Sequence, residues 1–234
     1  MAAGRYGEGT VALAAGHLEA AELALQGARA AFAAQGIALG EALCLERLGT
    51  LLTLSGRTAE AAALLSQGVV VAERAGLRRH ALTRLHAAEI RNRLAAGLVG
   101  AADDAAREAS ESAARHGECV ACDAAFRPEA VRVHLASGRA DDAEAEVAAL
   151  EDIARERKRR GLAAVARLAR ARVLAARGRG DEALVAQAQA RAGILAGGHR
   201  YQAARAVRLE ARLRGSLPDA WRELDALIRV DGDA

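Results

Sequence analysis

One short stretch of this chain carries residues able to do metal or redox chemistry: His116-Gly117-Glu118-Cys119-Val120-Ala121-Cys122. Cys119 and Cys122 stand three apart, so a helix puts both sulfurs on one face, and His116 precedes them by three more. Two thiolates and an imidazole make a partial zinc set that needs a fourth ligand. The same thiols at the opening of a helix suit a redox pair, because the helix dipole lowers thiol pKa. Packing is the third reading, since buried cysteine behaves as a small apolar residue; Cys44 is assigned to packing. The spacing offers no second Cys-x-x-Cys and no His-x-x-x-His, and no histidine follows Cys122 as haem attachment would require. Pro128 is expected to kink or restart the helix near Arg127.

No catalytic constellation accompanies these residues. His17, His86, His134 and His199 are scattered along the chain. There is no Ser-His-Asp order of note and no Gly-rich phosphate loop. The acidic pairs Asp103-Asp104 and Asp141-Asp142 are explained as helix starts, where the dipole favours acids. The sequence therefore reads as a non-enzyme with no cofactor, zinc being the alternative.

The elements that position such residues follow from composition and repetition. Apolar residues make up 52% of the 234 residues, but alanine supplies most of them and aromatics only 2%. That favours thin helix-on-helix packing over one large core. Two prolines leave room for many uninterrupted helices. No apolar run reaches the ~18 residues expected of a membrane span. Met1-Ala2-Ala3-Gly4-Arg5-Tyr6 lacks the layout of a secretory signal, and three cysteines do not make a disulfide framework. A reduced, cytoplasmic setting is the expectation.

Charge is unevenly placed. Residues 1–117 hold 12 basic and 12 acidic side chains, while residues 155–214 hold 16 basic and four acidic. Arg155-Glu156-Arg157-Lys158-Arg159-Arg160 is read as the cationic C-terminal end of a helix, favoured by the dipole. Nucleic-acid binding is disfavoured, because no aromatics interleave with this stretch to stack on bases.

Six glycines recur at near-constant spacing: Gly16, Gly56, Gly97, Gly138, Gly178 and Gly215, separated by 40, 41, 41, 40 and 37 residues. Each is followed five residues later by alanine: Ala21, Ala61, Ala102, Ala143, Ala183 and Ala220. A second series, Gly36, Gly76, Gly117, Gly161 and Gly198, interleaves with the first. Glycine ends a helix by adopting the left-handed conformation, and the alanine one turn into the next helix keeps the pair close. Helices are predicted near 17–35, 38–55, 58–75, 79–96, 99–116, 119–137, 140–160, 162–177, 180–196, 199–214 and 217–229, after a shorter one near 8–15. The chain then divides into repeats at 1–36, 37–76, 77–117, 118–161, 162–198 and 199–230, one domain over 1–234.

This glycine-then-alanine pattern, with Leu48-Gly49 seven to eight residues before Gly56, resembles the tetratricopeptide repeat (TPR). The period of about 40 rather than 34 is similar to the sensor regions of large LuxR-type bacterial regulators. The resemblance implies an all-α, right-handed superhelical solenoid of about six helix-turn-helix repeats, with the first helix of each pair lining a concave binding face. Six residues before each glycine lies one inward-facing position, which is Arg91, Arg132 and Arg172 in three consecutive repeats, and Thr50 and Leu209 in two others. Such an arginine ladder suits an acidic peptide or protein segment through bidentate bonds, with Arg84, Glu89 and Arg205 extending the surface. The repeat register also brings His80 level with Cys119, Cys122 and His116 as a candidate fourth zinc ligand. The expected function is a non-enzymatic binding scaffold or regulatory adaptor, the alternative being a metal or thiol-redox sensor at Cys119/Cys122. Because the first inner helix is expected to be truncated, its uncapped apolar face gives self-assembly as a further expectation.

Overall fold

The computed structural model describes residues 1–116, 120–216 and 219–227, with the side chains of a few helical positions, including His116 and Tyr201, outside the description. Among the described residues the regular structure is helical, without strands. Six inner helices alternate with outer ones along the chain. The inner ones are α1 (Ala2–Ala15), α3 (Ala38–Leu54), α5 (Arg78–Ala95), α7 (Val120–Ala136), α9 (Arg160–Ala176) and α11 (Arg200–Arg214). The outer ones are α2 (Leu18–Ala34), α4 (Thr58–Ala72), α6 (Val99–His116), α8 (Ala140–Glu156) and α10 (Gly180–Ala196). A 3-10 turn, Asp219–Trp221, and a one-turn helix, α12 (Arg222–Asp225), follow.

The repeat signature works as its chemistry requires. All six glycines of the first series have φ between 68° and 86°, the left-handed region that stops each inner helix. Ala21, Ala61, Ala102, Ala143 and Ala183 are fully buried one turn into the outer helices. The second series is less uniform. Gly36 and Gly198 are left-handed, but Gly76 is not, and Gly161 lies inside α9. Lys158, at φ 50°, makes that turn instead. The basic run is therefore split: α8 ends at Glu156, Arg157 caps it, and α9 begins at Arg160. Gly117 lies outside the described residues.

Helices approach closely where glycine faces leucine. A Cβ on Gly49 would sit 2.5 Å from Leu65 Cδ2, and one on Gly9 would sit 2.7 Å from Leu25 Cγ. These are the same contact one repeat apart, inner helix against outer. Arg57, Arg139 and Arg179, each following an inner-helix glycine, pair with an acid three residues on: Glu60, Asp142 and Glu182. Such exposed pairs add little stability but fit the start of each outer helix.

Two expectations are corrected. The first helix is not a truncated 8–15 segment but runs from Ala2, because Gly4, Gly7 and Gly9 are carried inside it and Gly9 lets it pack on α2. The face it was expected to leave open is covered. Leu13 shares a core cluster with α9, α10, α11 and α12, and Leu227 packs on Gly16. Likewise Pro128 does not restart α7, which is helical from Val120 to Ala136 through the proline. Packing of α7 against α5, α8 and α9 holds the helix across the missing amide bond.

The path of contacts is the main architectural result. α1 touches α3, α3 touches α5, and the sequence continues through α7 and α9 to α11, which touches α1 again. The solenoid's two ends meet, so the inner helices surround a central space rather than line a straight trough.

Candidate functional site

Inner-helix side chains would ordinarily be apolar at such burial, yet Glu46, Glu129, Arg132, Arg172 and Arg205 are all buried here. Charges are carried inside only when paired, and the pairing is what organises this site. Glu129 of α7 is 2% exposed and receives three arginines from three helices. Arg91 of α5 donates through Nη2 at 2.8 Å and Nε at 3.1 Å, Arg132 of α7 through Nη1 at 2.6 Å, and Arg205 of α11 through Nη1 at 3.2 Å. Burial alone would push the Glu129 carboxyl upward, but Arg205, Arg91 and Arg132 together hold it well below the ordinary carboxylate range. Glu46 of α3 is the second buried acid, with Arg84 Nη2 at 3.0 Å and Arg47 Nε at 3.5 Å. Its carboxyl is also lowered, the pull of Arg47, Arg84 and Arg91 exceeding the effect of burial.

Of the ladder positions, Arg91 and Arg132 therefore converge on one internal carboxylate, and Arg205 joins them from 76 residues away in sequence. Thr50, the equivalent position one repeat earlier, accepts a hydrogen bond from Arg91 Nη1 at 3.2 Å. Arg172 is buried on α9 and lines the same space. Glu89 is elsewhere: its carboxylate lies 3.1 Å from His86 Nδ1 and near Arg93, away from the central cavity. Sequence reasoning missed Glu46, Arg47 and, at the centre of the cluster, Glu129. For Glu129 the signal was present, an acid three residues before the ladder arginine at the i,i+3 spacing that forms ion pairs, but nothing local distinguishes it from a solvated glutamate.

Above this ion-paired floor opens a larger cavity of about 770 Å³, bordered by all six inner helices. The floor space is about 210 Å³, and Arg47, Arg84 and Gln202 line both, so the two are continuous. The cationic lining of the upper vestibule is Arg47, Arg84, Arg157 and Arg159, with His199 beside them and no carboxylate among the described lining residues. Arg157 and Arg159 come from the basic run, placing part of that run at the mouth of the cavity rather than only on a solvated helix end. The apolar wall is aliphatic, including Leu13, Ile153, Leu162, Val165 and Ile194. Arg84 Nε is buried without a hydrogen-bond partner.

Of the four candidate metal ligands, Cys119 and the His116 side chain lie outside the described residues. The other two are neighbours, with Cys122 Sγ 3.7 Å from His80 Nδ1. Burial, then the nearby Arg84, hold the His80 imidazole below its usual pKa. Cys122 is fully buried and disulfide-bonded, a state in which its sulfur is not a thiolate ligand. No group of three or more metal-ligating side chains occurs among the described residues. Cys44 is a free, buried thiol whose pKa burial pushes up to about 12, as packing requires.

The fold and cavity together define an all-α helical-repeat protein whose inner helices surround a cationic cavity. Neither a scan against protein-family models nor a search of curated proteins finds a match. No helix among the described residues is long and apolar enough to cross a membrane.

Proposed function

We propose that this chain is a non-enzymatic binding scaffold of the long-period TPR-like kind, similar to the sensor regions of LuxR-type regulators, which captures an acidic segment of a partner protein at its inner cavity. The observation that carries this reading is the vestibule lining, with Arg47, Arg84, Arg157 and Arg159 and no carboxylate among its described residues. Guanidinium groups bind carboxylates bidentately and lose less hydration on doing so than ammonium groups. The ladder serves this site indirectly. Two of its members, Arg91 and Arg132, are held with Arg205 by Glu129 and fix the inner helices, while the arginines nearer the mouth meet the ligand.

The test separates these roles. A fluorescein-labelled Glu-rich peptide should bind the wild-type chain in an anisotropy titration, weakening as salt is raised. The Arg157→Glu/Arg159→Glu double variant should lose that binding while keeping its helical circular dichroism. A variant that binds the peptide as the wild type does overturns the reading.

A second reading, a thiol-redox element at Cys122, is favoured by its disulfide and by the imidazole of His80 at 3.7 Å. These observations favour redox over zinc. It predicts that reduction with dithiothreitol exposes a thiol reactive near neutral pH, made slower by His80→Ala. A thiol count unchanged by reduction removes it.

A further inference from the structure

The vestibule is small, and its apolar lining is aliphatic. Its volume of about 770 Å³ falls in the range that buries most of a drug-sized ligand. Its cations fall into two groups. Arg47 and Arg84, from α3 and α5, stand at the inner end, because they also border the floor. Arg157 and Arg159, from the turn between α8 and α9, border only the vestibule and are exposed to solvent, so they stand at the mouth. Between these groups the wall is built from Ala124, Ala125, Leu162 and Val165.

Two further facts narrow the ligand. The described lining residues include no Phe, Tyr or Trp, so the vestibule offers a nucleobase little stacking surface beyond the His199 imidazole. The acids behind it, Glu46 and Glu129, are already ion-paired with arginines, leaving the inner end with a net positive charge. Arg84 borders the vestibule with its Nη2 bonded to Glu46 at 3.0 Å.

We infer that the vestibule binds a small aliphatic dianion, with one carboxylate or phosphate at Arg84 and Arg47, the other at Arg157 and Arg159, and the hydrocarbon against the alanine–leucine–valine wall. This rests on the proposed function in one respect, that the cavity is the binding region, and adds a ligand class to it. Thr10 and Leu13 of α1 and His199 and Gln202 at α11 border the same space.

Isothermal titration with suberate, octyl phosphate, octanoate and inorganic phosphate tests this on the full chain. Suberate should bind at one site per chain and raise the melting temperature. Octanoate and inorganic phosphate should each bind at least about tenfold more weakly, for want of the second anion or of the stem. Octyl phosphate, which carries its charge at one end only, should bind more weakly than suberate, and stronger binding of it overturns the two-ended assignment. Arg157→Gln/Arg159→Gln, at exposed positions, should weaken suberate by at least about tenfold without altering the fold. Ala125→Phe, which fills the wall without touching a charge, should do the same. Absence of suberate binding, or suberate binding unchanged by both variants, overturns the inference. Retained capture of the Glu-rich peptide in that case leaves the scaffold reading standing, whereas suberate binding without peptide capture overturns the scaffold reading alone.

Discussion

Replacing Glu129 with glutamine keeps the side-chain shape but removes the one negative charge on which Arg91, Arg132 and Arg205 converge. The three guanidinium groups lie 2.6 to 3.2 Å from its oxygens, and the carboxylate is 2% exposed, so water replaces little of what is lost. Breaking a buried ion pair by removing one partner costs about 3–5 kcal/mol, because the other charge is left uncompensated. Glu129→Gln should therefore destabilise the fold by about that amount. Urea unfolding followed by circular dichroism at 222 nm measures it, if the wild type and variant share the same m value. The pH dependence is a second check. A carboxyl whose folded pKa is depressed contributes stability that is full above its unfolded value, about 4.3 for Glu. That contribution is lost as pH falls through the folded value. The gap between wild type and variant should hold from neutral pH to about 4.3 and narrow below it. A gap under about 0.5 kcal/mol, typical of surface substitutions, or one that does not narrow in acid, would refute a structural role for this cluster.

Further predictions concern the scaffold. Gly49→Ala places a Cβ 2.5 Å from Leu65 Cδ2. It should cost about 1–3 kcal/mol from overpacking, offset by up to about 1 kcal/mol of helix propensity; a more stable variant in thermal melts would show that Leu65 yields freely. Pro128→Ala restores an amide donor inside α7 and should raise the melting temperature, gaining up to about 3 kcal/mol; a lower melting point would mean that the proline ring's own packing outweighs the bond. Cys44, fully buried with its thiol pKa near 12, should resist iodoacetamide at pH 8 in the native protein and react once unfolded in urea, as mass spectrometry would read.

Much of the scaffold is legible from the chain because its determinants are local. Left-handed glycine ends a helix wherever it occurs, and an alanine five residues later is buried wherever two helices must approach. Helix limits were accordingly close through the middle of the chain. They failed at the N-terminus, where glycines inside α1 mimic breaks, and at Lys158, which makes a left-handed turn without glycine. Inner and outer faces also followed from register, which put Arg91, Arg132 and Arg172 on inner helices and His80 beside Cys122.

What the tertiary structure alone decided is how far the array curves. Each repeat contributes a small rotation, and no residue pattern states their sum. Only in three dimensions does α11 return to α1, Arg205 reach Glu129 across 76 residues, and Arg157 and Arg159 stand over a cavity. A sequence period determines which side chains share a face. Closure turns that face into a central cationic space, because it brings charges together that the chain itself keeps far apart.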